Sequence, residues 1–310
     1  METRELAYFV AVAEELHFGR AADRLGIAQP PLSRAIRQLE HRLRVGLLDR
    51  TSRRITLTPA GEVLLREARR VLDAVSSAAQ LTQRAGRVDP RLVVVMKPGG
   101  DGGLMSEILA RYEAEPDAVP VEMLVCGIGE QEGLLRAGNA DVGFLHRPYD
   151  TDPVGFDSVD LLVERPVVVL PKGHRLADRT SVCQADLVGE PHPAWPRASG
   201  AGGIRPGSGP DGDCGDFRDG SQLMQLIALG RAVAVLPESV RSNLRQDLTS
   251  VPVTDAEPTT LVLAWPEANR SRSLAAFVRT ATTVGEKAAA ARSASRLDMT
   301  ASLREAVTSC

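Results

Sequence analysis

Cysteine is scarce. The four in 310 residues, Cys126, Cys183, Cys214 and Cys310, form no Cys-x-x-Cys pair and no other metal-ligand spacing. That pattern argues against a disulfide framework and a structural zinc site, and it fits a reducing cytoplasm. Long apolar runs are missing as well. None approaches the roughly 18 residues a membrane span needs, so no membrane association is expected. The opening Met1-Glu2-Thr3-Arg4-Glu5 is mixed in charge, and Leu6 to Val12 is short and amphipathic, so no secretory leader is expected. Catalytic signatures are absent too. His17, His41, His146, His174 and His192 lie in no nucleophile or metal pattern, and no G-x-S-x-G elbow occurs. The glycines from Gly99 to Gly103 are not followed by the Lys-Ser/Thr of a phosphate loop. The expectation is a cytoplasmic protein that is not an enzyme, with no catalytic residue, no metal and no cofactor. A thiol switch between Cys183 and Cys214 has no support in their spacing.

There is also little net charge. At −3 the chain as a whole does not look like a binder of polyanions. Its distribution says otherwise. Residues 1–90 hold 15 arginines against 11 acids, a balance of +4, and residues 91–310 carry −7. Within residues 20–70 there are 12 arginines and only 5 acids. A local positive field on an acidic protein suits a polyanion at one end. The length implies two or three units, and 43% apolar residues suffice for real cores.

The positive end has a readable pattern. Leu6, Phe9, Val10, Ala13 and Leu16 make an amphipathic helix, which His17-Phe18-Gly19 breaks. Phe18, Ala21, Ala22 and Leu25 recur at i, i+3, i+4, i+7, and Gly26 ends this second helix. Pro30 and Pro31 sit where a first helical turn tolerates missing N–H groups. Leu32, Ile36, Leu39 and Leu43 then form the apolar stripe of a third helix that runs to about Arg44, with Gly46 closing it. Gln29, Ser33, Arg34 and Arg37 fall on its other faces. Two short helices, a tight turn and an arginine-bearing face, from Phe18 to Arg37, describe a helix-turn-helix. The β-prone segments Leu47 to Arg50 and Ile55 to Thr58 flank a basic tip, Thr51-Ser52-Arg53-Arg54, and so make a wing. Arginine can take the O6/N7 edge of guanine, a hydroxyl can bond a base or a phosphate, and Arg53 and Arg54 are suited to the minor groove or to phosphate.

Thr58-Pro59-Ala60-Gly61-Glu62 reads as a capped helix start. Leu64, Ala68, Val71, Val75 and Ala78 follow at spacings of 4, 3, 4 and 3. That is a heptad-like seam, open either to pairing between two chains or to packing on the chain's own domain. Asp89-Pro90 looks like a linker.

Three stretches together, Phe18 to Leu25, Ala28 to Ile36 with Gln38-Leu39-Glu40, and Leu48 to Thr51 leading to Leu57-Thr58-Pro59-Ala60-Gly61, resemble the DNA-binding and linker regions of LysR-type transcriptional regulators. The resemblance spans residues 1 to about 88 and continues more weakly beyond. It implies an N-terminal all-α winged helix-turn-helix with a long linker helix, followed by a two-lobed α/β effector domain like a periplasmic binding protein. It implies double-stranded promoter DNA and a small-molecule effector as partners, and homodimers that pair into homotetramers. It assigns DNA contact to Gln29, Pro30, Ser33 and Arg34.

The second half alternates strands and helices in βαβαβ order, which argues a mostly parallel sheet covered on its faces. Ligands bind such sheets at the carboxyl ends of strands, here Lys97 to Gly103, Cys126 to Gly129 and His146 to Pro148. Candidate effector contacts are Gly99, Gly100, Asp101, Gly102, Gly103, Cys126, Gly127 and Arg147, with Trp195, Arg197, Asp219 and Ser221 from the second lobe. Asp101 either caps a helix or meets the ligand. Relatives often carry Ser or Thr here, so its negative charge departs from the family pattern and puts a simple anionic effector in doubt. Expected boundaries are 1–58 for the winged helix-turn-helix, 59–88 for the linker and dimerisation helix, and 89–310 for the effector domain. Within the last, lobe I takes about 91–161 and 265–284, lobe II about 162–264, and 285–310 is a frayed or disordered tail. Strands near Leu161–Val163 and Leu261–Ala264 would form the hinge. A competing reading is a solute-binding or enzymatic α/β protein whose helical module serves only for assembly.

Overall fold

The computed structural model describes residues 1–50, 55–86, 88–148, 150, 155–193, 217 and 219–308. Two compact units emerge, Met1–Gly86 together with Arg136–Gly138, and the remainder of the chain.

The first unit contains α1 (Thr3–Glu15), α2 (Phe18–Leu25), α3 (Gln29–Leu43), a hairpin of β1 (Leu48–Arg50) and β2 (Ile55–Leu57), and α4 (Pro59–Ala85). Phe9, Val12, Phe18, Ala21, Leu32, Ile36, Leu39 and Leu47 form its core. Leu32, Ile36 and Leu39 are fully buried, and each contributes about 1.5–3 kcal/mol relative to an exposed side chain. Leu43 departs from the expected stripe, at 39% exposed. The helix ends there, because Arg44 turns left-handed at φ 56, so Arg44 and not Gly46 makes the turn. His17 is more than a break. Its Nδ1 accepts the Arg20 N–H at 3.1 Å and caps α2. Glu40 Oε1 accepts the N–H groups of Leu47 and Leu48 at 3.0 and 3.2 Å, which ties the wing to α3. Thr58 caps α4 through Gly61 N at 3.0 Å and donates to Gly46 O at 2.7 Å. Glu14 on α1 accepts from Arg24 on α2 and Arg69 on α4, both at 2.7 Å.

Of the five seam positions, two are occupied by the chain's own module. Ala68 is fully buried, and Leu64 packs on the core of the unit. Val71 and Val75 are 42% and 50% exposed, and Ala78 is exposed with them. The helix therefore serves its own domain in its first turns and bares an apolar face afterwards.

The second unit has two sheets. One has five strands in the order β4 (Val121–Val125), β3 (Leu92–Met96), β5 (Val142–Arg147), β10 (Thr259–Pro266), β6 (Phe156–Glu164). Strands β3, β4 and β5 are parallel as expected, and β10 runs antiparallel between β5 and β6. The other sheet is wholly antiparallel, with β7 (Pro166–Pro171) between β8 (Ala234–Pro237) and β9 (Leu248–Pro252). Helices α5 (Met105–Tyr112) and α8 (Arg272–Thr308) pack on the first sheet, whose main core includes Leu92, Val94, Phe144, Leu263 and Phe277. Helix α6 (Gln131–Arg136) follows β4, and α7 (Gly220–Ala228) belongs to the second lobe.

Two boundaries differ from the sequence reading. Leu162–Glu164 and Thr259–Ala264 belong to the first sheet and not to the second lobe, because β10 zips along the whole of β6. The crossings therefore lie at the ends of these strands, around Arg165 and between Val253 and Thr259. The segment from Gly285 continues α8 and does not form a separate tail. Gly285 sits against Leu161 so closely that a side chain would strike its backbone, and Ala288 and Ala289 extend the core of the first lobe.

Candidate nucleic-acid interface and ligand cleft

Helix α3 turns Leu32, Ile36 and Leu39 inward, and its period then forces the polar residues outward. Gln29, Pro30, Arg34 and Arg37 are exposed and Ser33 is half-buried. Electrostatic partnering divides the arginines of this module. Arg20 pairs with Glu15 at 3.2 Å, Arg24 with Glu14 at 2.7 Å and Arg42 with Glu5 at 2.6 Å. Burial pushes the Glu14 carboxyl up, yet Arg69 and Arg24 together hold it below the ordinary carboxylate range, and Arg42 does the same for Glu5. Arg34 and Arg37 make no ion pair among the described residues. The module thus neutralises its structural arginines and leaves two cations on the exposed face of α3. Arg53 and Arg54 lie outside the described residues.

The second unit contains a cleft of about 490 Å³ where its two sheets meet. Lys97, Pro98, Gly99 and His146 come from the carboxyl ends of β3 and β5, and Ile128 from the loop after β4. Gly220, Ser221, Leu223 and Met224 of α7 line it, with Val235 to Pro237, Val240 and Asn243 from the second lobe. Pro166, Ser239, Glu257 and Thr259 stand beside the two crossings.

Only some of the expected ligand contacts reach this cleft. Gly99 and Ser221 line it. Asp101 turns to α5, where its Oδ2 accepts the Met105 N–H at 3.1 Å. Asp219 caps α7, its Oδ1 accepting from Ser221 N and Gln222 N at 2.8 and 2.9 Å. Arg147 is engaged elsewhere, with Asp160 at 3.0 Å and Ser158 at 2.8 Å. Gly102 gives its carbonyl to Arg292 at 3.2 Å. Gly100, Gly103, Cys126 and Gly127 do not line the cleft. Burial and the nearby Glu130 push the Cys126 thiol up to about 11, the opposite of a reactive thiolate. Cys183 donates to Asp186 at 3.2 Å. Trp195, Arg197 and Cys214 lie outside the described residues.

Beneath the cleft lies a charged cluster that sequence reasoning did not assemble. Lys97 Nζ meets Asp150 Oδ2 at 2.7 Å, with Asp150 only 1% exposed. The same oxygen accepts the His146 backbone N–H at 3.1 Å. Glu164, fully buried at the end of β6, has Oε1 on Ser239 N at 3.1 Å and near Arg292 at 3.4 Å, and Oε2 3.4 Å from His146 Nε2. That last contact is too poorly aligned to satisfy Glu164 Oε2. Burial pushes the Glu164 carboxyl up, yet His146, Ser239 and Arg292 together hold it below its ordinary range. Burial, then Lys97, push the His146 imidazole down, which outweighs the pull of the two carboxylates and keeps it neutral. Arg292 joins Gly102 and Glu164 to Glu238, 3.6 Å away in the second lobe. Lys97 and His146 were legible as strand ends. Asp150, Glu164 and Arg292 carry no local signal, because they converge from a loop, a crossing strand and the far part of α8.

Among the described residues no three His, Cys, Asp or Glu side chains are placed to hold a metal ion, and no helix is long and apolar enough to cross a membrane.

Comparison with known proteins places this geometry. Residues 3–62 match the family described as bacterial regulatory helix-turn-helix protein, lysR family, and residues 85–285 match the LysR substrate binding domain. The chain is 38% identical over 203 residues to the HTH-type transcriptional regulator AlsR of Bacillus subtilis, covering 63% of this chain and 66% of AlsR. It is 35% identical over 189 residues to the Hca operon transcriptional activator HcaR of Escherichia coli, covering 61% and 63%. The chain thus spans just under two thirds of the length of these two relatives. With the HTH-type transcriptional regulator BenM of Acinetobacter baylyi the identity is 30% over 274 residues, covering 84% of this chain and 88% of BenM. The crystal structure of full-length BenM superposes with a TM-score of 0.50 at 29% identity, over 92% of this chain and 96% of that one. The chain belongs to the LysR family of bacterial helix-turn-helix regulators.

Proposed function

We propose that this protein is a sequence-specific transcriptional regulator that binds promoter DNA through α3 and is controlled by a small molecule held in the cleft of its second unit. The observation that carries the DNA-binding reading is the pair of unneutralised arginines, Arg34 and Arg37, on the exposed face of a helix whose other face is core. Base edges in a major groove are read by such a face. Gln29, Pro30 and Ser33 stand beside the arginines at the helix start, and Arg53 and Arg54 at the wing tip add phosphate or minor-groove contacts. The protein works in the cytoplasm, where the DNA is, and performs no catalysis of its own.

The exposed apolar face of α4, with Val71, Val75 and Ala78, pairs two chains so that two α3 helices meet two half-sites. Two such dimers form the working tetramer. The relatives named as transcriptional regulators support this reading. Retention on duplex DNA under a salt titration tests it. Binding that weakens steeply with salt, as counterion release demands, is the expected result. No retention at low salt would sink the proposal and favour a solute-binding protein.

A further inference from the structure

The helix that begins in the cleft lining, α7, already holds an anion, and so does α5, which follows β3. The first turn of α5 gives its Met105 N–H to Asp101, and α7 gives Ser221 N and Gln222 N to Asp219. An anionic ligand at either helix start would sit against a carboxylate of the chain itself, and Glu257 adds another charge of the same sign to the lining. The cation among the described lining residues, Lys97, is engaged by Asp150 at 2.7 Å.

What the cleft has left to offer is neutral. Two side-chain atoms of its lining, His146 Nδ1 and Thr259 Oγ1, are buried without a hydrogen-bond partner among the described residues, on residues 3% and 7% exposed. Strand register brings them together. Leu261 lies opposite His146, and Thr259 lies opposite Glu164, so all four side chains share one face of the sheet. The ionised Glu164 can only accept, and its charge 3.4 Å from His146 Nε2, without the alignment of a hydrogen bond, favours the imidazole proton on that nitrogen. Nδ1 then presents a lone pair. Asp150 Oδ2, 4.0 Å from Nδ1, is an acceptor too and already serves Lys97 and the His146 backbone. Among the described residues His146 Nδ1 therefore lacks a donor, and a carboxylate cannot supply one. A hydroxyl can, and its oxygen can at the same time accept from Thr259 Oγ1. Around this pair the walls are apolar, from Ile128, Leu223, Met224, Val235 and Leu236.

We propose that the cleft takes an uncharged, largely apolar molecule with a hydroxyl head, a phenol or an alcohol, whose O–H donates to His146 Nδ1 and whose oxygen accepts from Thr259. This names the ligand class for the effector site and rests on reading the cleft as that site. Calorimetric titration of the full chain at neutral pH with three probes of one shape tests it: para-propylphenol, para-propylbenzoate and para-propylbenzylamine. The phenol binds at least about tenfold more tightly than the anion or the cation, and the nitrogen resonance of His146 Nδ1 moves when it is added. Thr259→Val, which removes the hydroxyl at constant shape, weakens the phenol by about fivefold to tenfold, the size of one hydrogen bond. Leu236→Trp fills the cleft and abolishes binding. No binding of the phenol, equal or tighter binding of the benzoate or the benzylamine, or an unchanged affinity in Thr259→Val would each overturn the proposal. The two readings fail separately. Binding of the anion that Leu236→Trp abolishes refutes the hydroxyl class and keeps the cleft. Binding of the phenol that survives Leu236→Trp refutes the cleft itself.

Discussion

Gly61→Ala sets two physical effects against each other. Gly61 is the third residue of α4, in the turn that Thr58 caps. Helix propensity alone favours alanine over glycine in a helix by about 1 kcal/mol. Packing says the opposite. A Cβ on Gly61 would overlap the Leu47 carbonyl oxygen and come within 3.0 Å of Leu57 Cδ2 and 3.1 Å of the Leu47 carbonyl carbon. The first clash is with backbone, so no side chain can swing away. That backbone is fixed at several points, since Leu47 O accepts from Thr58 N at 3.0 Å and Glu40 holds the amides of Leu47 and Leu48. Relief means backing α4 off the wing and stretching the Thr58 bond and cap. Overpacking costs about 1–3 kcal/mol, and a weakened bond and cap add about 1 kcal/mol each. Net of the propensity gain, the variant loses about 2–4 kcal/mol. Amide hydrogen exchange in α1 and α3 of the full chain reads this locally, as an acceleration of about thirtyfold to a thousandfold. Gly46→Ala is the control, because nothing lies within 4 Å of its Cβ and its backbone is not left-handed; its exchange stays within about threefold, as expected of an unencumbered surface site. Slower exchange in Gly61→Ala than in the wild type would refute the reasoning and show that local propensity governs this turn.

Arg34→Ala weakens binding to the cognate operator by about 1–3 kcal/mol and relaxes preference at one base pair, whereas a phosphate-only role weakens all sequences alike; a gel shift at fixed salt separates the two. Val71→Asp together with Val75→Asp, at positions 42% and 50% exposed, shifts the chain to monomer in sedimentation velocity, while an unchanged oligomer would remove α4 from the interface. Acid destabilises the second unit through His146. Its folded pKa lies below the ordinary value of 6.5, first because of burial and then Lys97. The unfolded chain therefore takes up the proton first. Stability is full above that value and falls as pH drops towards the folded pKa, by at most about 1.4 kcal/mol per pH unit. The depressed Glu164 acts in the same direction, but only below its ordinary 4.5. Urea titrations from about pH 7.5 to about pH 5.5 show this slope, and His146→Gln, which keeps a donor towards Glu164, flattens it.

The module that meets DNA was legible because its information is local. Helical spacing of Leu32, Ile36 and Leu39 decides which way Arg34 points, and no distant residue is needed. Where the local reading missed, the cause was a contact it could not see. Leu43 keeps the period of the stripe but lies beyond the reach of the core, and Ala68 keeps the heptad but is claimed by the chain's own module. In the cleft the misses were larger. Asp219 and Arg147 are polar residues at plausible positions, yet each bonds something else, while Asp101 takes the helix-capping alternative that the sequence had left open.

Composition, charge distribution and apolar period together determined a helix-turn-helix with a basic face, a long helix and an alternating α/β unit, because each rests on residues within a few turns of one another. Only the tertiary structure decided what the cleft holds. Lys97, His146, Asp150, Glu164, Thr259 and Arg292 come together from strand ends, a loop and a late helix, with up to 195 positions of chain between them. Whether a polar atom among them is satisfied depends on register and burial, and those exist only once the chain has closed on itself.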